Sequence, residues 1–151
     1  MKKFSPDEFL YVKSNYVTPY KQWDKYFAFI ELGVSLLNDG GVLGVVVPNK
    51  WLNNVSGAKL RTFLRQEISV SSLHNFTYHP VFADKQIYVC GLICVKKSLT
   101  ALTYSEPSSI SALTHRELVP IELGYRKWFP DVISDPWVFP SDLYESSVIT
   151  S

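Results

Sequence analysis

Leu36-Leu37-Asn38-Asp39-Gly40-Gly41-Val42-Leu43-Gly44-Val45-Val46-Val47-Pro48-Asn49-Lys50-Trp51-Leu52 decides how this chain folds. It passes from the end of a helix, through a glycine stop, into a run rich in β-branched residues. Glycine takes the left-handed conformation that closes a helix. Val42 to Val47 shows no polar alternation, which predicts a strand buried on both faces of a parallel sheet. Pro48 ends its pairing. The loop 48–54 then sits at the carboxyl end of that strand, the edge where open α/β sheets bind ligands.

Upstream, Trp23, Tyr26, Phe27, Ile30, Val34 and Leu37 recur at three- and four-residue steps. That predicts a helix from Gln22. Phe29, Gly33 and Leu36 form a second apolar strip, so the helix is expected to be buried on more than one side. Residues 4–21 mix aromatics with polar residues and carry two prolines; they read as a loop with at most one helical turn. Downstream, Ser56 is the expected N-cap of a helix over about 57–66. Leu60, Phe63 and Leu64 give it a buried face, with Lys59, Arg61 and Arg65 mostly on the wet side. A strand is expected from Ile68 to Phe76 and a loop from Thr77 to Gln86. A buried strand should then run from Ile87 to Val95. Residues 98–114 are dominated by Ser, Thr and Ala and read as a linker or a weakly ordered edge. Residues 115–151 hold two Trp and four Pro without periodicity. The order helix, strand, helix, strand, strand has no strand before its first helix. It reads as the carboxyl half of a doubly wound sheet.

Composition narrows the function. The chain has 151 residues, of which 46% are hydrophobic and 15% aromatic, enough for a core. Fifteen basic residues against 14 acidic ones leave no global field for nucleic acid, although a local patch would suffice. No apolar run approaches the ~18 residues of a membrane span, and the N-terminus turns acidic too early for a secretory signal. A cytoplasmic protein with reduced thiols is expected. Cys90 and Cys94 share a strand face but lie ~13 Å apart, too far to clip one metal. His74, His79 and His115 have no ligand spacing, so no metal is expected. His79 beside Asp84 lacks a nucleophile, and no phosphate-binding Gly-Lys-Ser/Thr loop is present.

The ordered string from Trp23 to Leu52, followed by Lys59-Leu60-Arg61-Thr62-Phe63-Leu64, Val81-Phe82 and the strand 87–95, resembles one family. It is similar to the second half of the catalytic domain of adenine-specific DNA N6-methyltransferases of bacterial restriction–modification systems, including enzymes with a fused nuclease. The resemblance covers about residues 9–97, and the Gly-Gly-to-Trp-Leu string is its most specific part. It implies a partial Rossmann-like, S-adenosylmethionine-dependent methyltransferase sheet that lacks the first strands. Its last strand would run antiparallel and insert beside Val42–Val47. A raw sheet edge would remain where the other strands belong, an aggregation risk unless covered.

The departures matter too. The family's glycine-bearing cofactor turn, its ribose-binding acid and its Asn-Pro-Pro-Tyr loop are not in this sequence, which has no Pro-Pro pair. No catalytic residue is therefore expected, and the chain alone should not transfer a methyl group. The resemblance implies that residues 1–97 are the carboxyl half of the catalytic domain, 98–114 a linker, and 115–151 the start of a target-recognition region. Phe29 matches the aromatic near the cofactor's adenine, or is simply core. Phe82 matches the aromatic that packs against the flipped adenine, since an extruded base needs a new stacking partner; otherwise it is an apolar plug. Lys85 matches the position where the family often has a basic residue near the displaced nucleotide, or is a solvated loop lysine. Asn49, Lys50 and Trp51 are candidate DNA contacts, with Trp51 alternatively wedging its loop onto the next helix. The implied partners are double-stranded DNA and a complementing half or longer parent chain. A different class stays open: a non-enzymatic α/β module for DNA or protein interaction, or a gene remnant.

Overall fold

The computed structural model describes residues 4–83, 87–107 and 120–139. Lys85, residues 108–119 and residues 140–151 lie outside the described residues.

The chain opens with a helix, α1, over Pro6–Asn15, where a loop was expected. Its start is a capping box. Ser5 Oγ accepts from the Glu8 amide at 3.2 Å, and Glu8 returns by accepting from the Ser5 amide at 3.0 Å. Pro6 at the first helical position needs no N–H partner. No residue of α1 is buried, so apolar periodicity could not reveal it. Phe9 stacks on Trp23 at 5.3 Å, and Lys25 pairs with Glu8 at 3.1 Å. The turn that follows wraps the Glu31 carboxylate, which accepts from the amides of Val17 and Thr18 and from the Thr18 hydroxyl at 2.7 Å.

Helix α2, Lys25–Ser35, is capped by Asp24 and buries Phe27, Ala28, Ile30 and Val34. Its second strip is not covered: Phe29 is 71% exposed and Leu36 74%. Gly33 lets the helix approach the sheet, since a Cβ there would lie 2.9 Å from Leu43. Gly40, at φ +76°, closes the turn as expected. β1 spans Val42–Pro48. Two short 3₁₀ turns follow, Lys50–Leu52 and Val55–Gly57, then α3 over Ala58–Glu67. Ser56 is not the cap. Asn54 accepts from the Gly57 amide at 2.8 Å and caps the second turn, which runs straight into α3.

β2 is Ser69–Asn75, β3 Val89–Val95, β4 Ala101–Ser105 and β5 Ile121–Gly124; a one-turn helix, α4, is Tyr125–Trp128. The sheet order is β1-β3-β2-β4-β5. β3 inserts antiparallel between β1 and β2, as the resemblance implied. β2 and β4 are parallel, and β4 and β5 antiparallel.

Two expectations change. β1 does not lie inside a parallel sheet. Among the described residues it pairs only with β3, and Val42 and Val46 are each 61% exposed. A run of valines reads as doubly buried only if both sides are covered, and here one side is open. The residues expected as a linker include β4, whose Leu102 and Tyr104 are buried. Thr103 is its exposed position and Ser105 is a buried polar residue, which together mask the alternation.

The core lies on one face of the sheet. Cys90, Leu92 and Cys94 alternate along β3 onto that face, where α2 and α3 meet them with Ile30, Val34, Leu60 and Leu64. Trp137 and Phe139, from beyond the sheet, belong to the same core. No helix among the described residues is long and apolar enough to cross a membrane.

Candidate functional site

The strand register brings four chain ends to one edge. Pro48 at the end of β1 faces Val89 at the start of β3. Asn75 at the end of β2 faces Cys90, and His74 faces Ser105 at the end of β4. The loops 49–54 and 76–88 leave from this edge. Between them lies a pocket of about 300 Å³, lined by Asn49, Lys50, Asn53, Thr77, Tyr78 and Phe139 among others.

Phe82 stands at this edge, 51% exposed, in the loop after β2. Tyr78 is 67% exposed, and the rings of Tyr78 and His79 sit 4.7 Å apart. Lys50 is exposed beside the pocket. Among the described residues the edge therefore presents aromatic faces and the cation of Lys50, groups able to stack a base and hold a phosphate.

Asn49 and Trp51, expected to touch DNA, are turned inward. The Asn49 amide donates to Asn75 Oδ1 at 3.1 Å and to the Thr77 carbonyl at 2.9 Å. Both of its protons are thereby used. Trp51 is fully buried, packed edge-on against Trp137 at 5.2 Å. It wedges its loop onto the core and offers no surface to a ligand.

The predicted wet face of α3 is corrected as well. Arg61 is 2% exposed. Its guanidinium donates to the carbonyls of Trp51 and Asn54, and twice to that of Ser134, at 3.0 and 2.7 Å. Burial lowers its pKa, and nearby Asp135 opposes that shift. Arg65 donates to the Pro130 carbonyl at 2.8 Å and lies 4.6 Å over the Phe129 ring. Trp137 N–H donates to the Leu52 carbonyl at 2.8 Å. Residues 125–139 thus form a strap that returns across α3 and holds the 49–54 loop from behind. Phe139, at its end, stacks on Tyr104 at 4.5 Å and lines the pocket. The contacts of the strap with Arg61, Arg65 and the 49–54 loop span more than 60 residues of sequence, so no local pattern announces them.

Phe29 stands apart from this edge cluster in what it touches. It lines a groove of about 200 Å³ between α1 and α2 with Phe4, Glu8, Val12, Lys25 and Leu32. It is a surface aromatic and not a core residue. The two cysteines are sealed: burial pushes each thiol up to about 12.

Comparison with known proteins accounts for this arrangement. A family profile described as Eco57I restriction-modification methylase matches residues 1–82. The Escherichia coli type II restriction enzyme and methyltransferase RM.Eco57I is 33% identical over 139 residues, which is 91% of this chain and 14% of that protein. The Geobacillus stearothermophilus type II methyltransferase M.BstVI is 30% identical over 99 residues, 62% of this chain and 18% of that one. The chain therefore spans less than a fifth of the length of these relatives. Among solved structures, the type IIG restriction endonuclease BpuSI superposes with a TM-score of 0.62 at 13% identity, covering 95% of this chain and 19% of its own. A Listeria monocytogenes protein assigned to the class I S-adenosylmethionine-dependent methyltransferases gives 0.55 at 21% identity, over 76% of this chain and 38% of its own. The fold is thus part of a class I methyltransferase sheet, and the chain belongs to the Eco57I restriction-modification methylase family.

Proposed function

We propose that this chain supplies the target-base side of a site-specific DNA methyltransferase that moves a methyl group from S-adenosylmethionine to N6 of adenine. The observation that carries the reading is the carboxyl edge, where Phe82 and Tyr78 stand exposed on the loop that joins β2 to β3. Phe82 would replace the stacking partners that a flipped adenine loses. Lys50, and Lys85 from the same loop as Phe82, would hold phosphates near the displaced nucleotide.

The cofactor is only partly provided for. Phe29 offers one aromatic face to an adenine ring. Its groove is otherwise lined by apolar side chains and the Glu8–Lys25 pair, with no free acid for a ribose. These residues do not compose a cofactor site by themselves. The open side of β1 is where a complementing polypeptide, or an upstream part of the same protein, would add the strands that do. Val42 and Val46 on β1 and Phe29 and Leu36 on α2 are the exposed apolar groups such a half would cover.

The test begins with the DNA upstream of the Met1 codon, read in all three frames. A reading frame ending in a strand and an Asn-Pro-Pro-Tyr loop is expected. Co-expression of both pieces should then give methyl transfer to adenine in duplex DNA, measured with radiolabelled cofactor. Stable assembly without any transfer would instead support a non-enzymatic interaction module.

A further inference from the structure

Loop 76–88 leaves β2 and returns to β3, and one residue of a different loop holds both of its legs. The Asn49 backbone N–H donates to the Tyr88 carbonyl on the returning leg at 3.0 Å. The Asn49 side chain donates to the Thr77 carbonyl on the outgoing leg at 2.9 Å. Its second proton goes to Asn75 Oδ1, which also accepts from the Thr77 N–H at 3.0 Å. Thr77 adopts φ +50°, a left-handed conformation that a β-branched residue rarely takes. Both polar groups of its backbone are committed to this asparagine pair, which is how a strained residue is kept in place. Asn75 is itself 8% exposed, and its amide donates to the Tyr104 hydroxyl at 3.5 Å.

We infer that Asn49 is a positioning residue for the loop that carries Phe82: it joins both legs to the end of β1 and so sets where the aromatic face stands. This rests on the methyltransferase reading for its purpose, but not for its mechanics. The side chain fits the task narrowly. An amide supplies two donors to two acceptors 2.9 and 3.1 Å away. A carboxylate at the same place would set negative charge against both acceptors, and alanine would leave the Thr77 carbonyl without this donor and Asn75 Oδ1 with the Thr77 N–H alone.

The experiment uses the full chain and the variants Asn49→Ala and Asn49→Asp, followed by amide hydrogen exchange. Exchange in residues 75–83 should accelerate about tenfold in both variants while α2 and α3 stay within about twofold, as loss of two local hydrogen bonds requires. Unchanged exchange in 75–83, or an equal acceleration throughout the chain, overturns the inference. If neither variant folds, the unmodified protein decides. The amides of Asn49 and Thr77 should open with one shared dependence on denaturant, and separate openings refute the joint. The functional arm pairs each variant with the complementing half and a duplex carrying 2-aminopurine at the target position. Asn49→Ala should lower kcat and the fluorescence rise on base extrusion about tenfold, with DNA affinity within about twofold. Weakened DNA affinity at unchanged kcat would make Asn49 a DNA contact and overturn the inference. If the unmodified pair transfers no methyl group, the methyltransferase reading fails, and the exchange data alone decide whether Asn49 joins the legs.

Discussion

Arg61→Met is the sharpest test of how the edge loop is held. Methionine keeps most of the side chain's apolar length and removes the guanidinium. Three carbonyl groups then lose the guanidinium, Trp51, Asn54 and Ser134, of which Asn54 keeps the Gly57 amide at 3.3 Å. The contact to Trp51 is buried and those to Asn54 and Ser134 are partly so. Leaving a buried acceptor unmade costs about 1–3 kcal/mol, and the partly wet ones belong at the low end. Relief from burying a charge offsets part of this. The net expectation is about 3 kcal/mol, a large share of the ~5–15 kcal/mol that holds a domain together. For a chain of this size, melting should fall by roughly 6–12 °C. Urea unfolding followed by the fluorescence of the four tryptophans reads it directly, because Trp51 and Trp137 flank the broken contacts. Arg61→Lys should recover only part, since one ammonium cannot reproduce the planar fork. A loss below about 1 kcal/mol for Arg61→Met would refute the reasoning, because it would mean that a packed apolar group replaces the cation freely.

Three further outcomes follow from the same geometry. Gly57→Ala should unfold the protein or cost more than about 3 kcal/mol, since its Cβ would sit 2.1 Å from the Trp51 carbonyl oxygen; a melting point within a few degrees of the parent would refute that contact. Phe29→Ser should change stability by less than about 0.5 kcal/mol, as befits a surface residue, whereas a core phenylalanine would cost about 3–5 kcal/mol in urea unfolding. Cys90 and Cys94 should resist a thiol reagent at pH 8 until the chain unfolds. Their folded pKa values, raised to about 12 from 9.0, mean that their stabilising effect is complete below pH 9 and fades as pH climbs toward 12. The unfolding free energy from urea titration should be flat from pH 7 to 9 and then drop by on the order of 1 kcal/mol per pH unit for each thiol; a stability that rises above pH 9 would contradict their burial.

The sheet was legible where local chemistry and topology agree. The glycine stop at 40–41, the valine run, the basic helix and the strand through Cys90–Cys94 all announce themselves within a few residues. The antiparallel insertion of β3 came from the family resemblance and not from periodicity. α1 was missed because it buries nothing, although Ser5-Pro6-Asp7-Glu8 carries a capping box that could have been read. β4 was missed because its Ser and Thr positions dilute the alternation of Leu102 and Tyr104. At the site, Phe82 and Lys50 are exposed on the loops that follow β2 and β1. The wedge was one of the two readings of Trp51, but the inward turn of Asn49 and Arg61 was not legible, because each is decided by a partner far along the chain: Asn75 and Thr77, and Ser134. A polar residue after a strand looks the same in sequence whether it meets water, phosphate or a distant carbonyl.

The strap has a consequence for where the chain can be cut or joined to another. A crossover in the Ser- and Thr-rich stretch near residue 100 looks harmless in sequence. It would strip away β4, Trp137 and Phe139, baring Trp51 and leaving Arg61 a buried cation with two carbonyls instead of three. A seam that keeps the body intact lies beyond Phe139. β4 and the strap pack into the same core and travel with it.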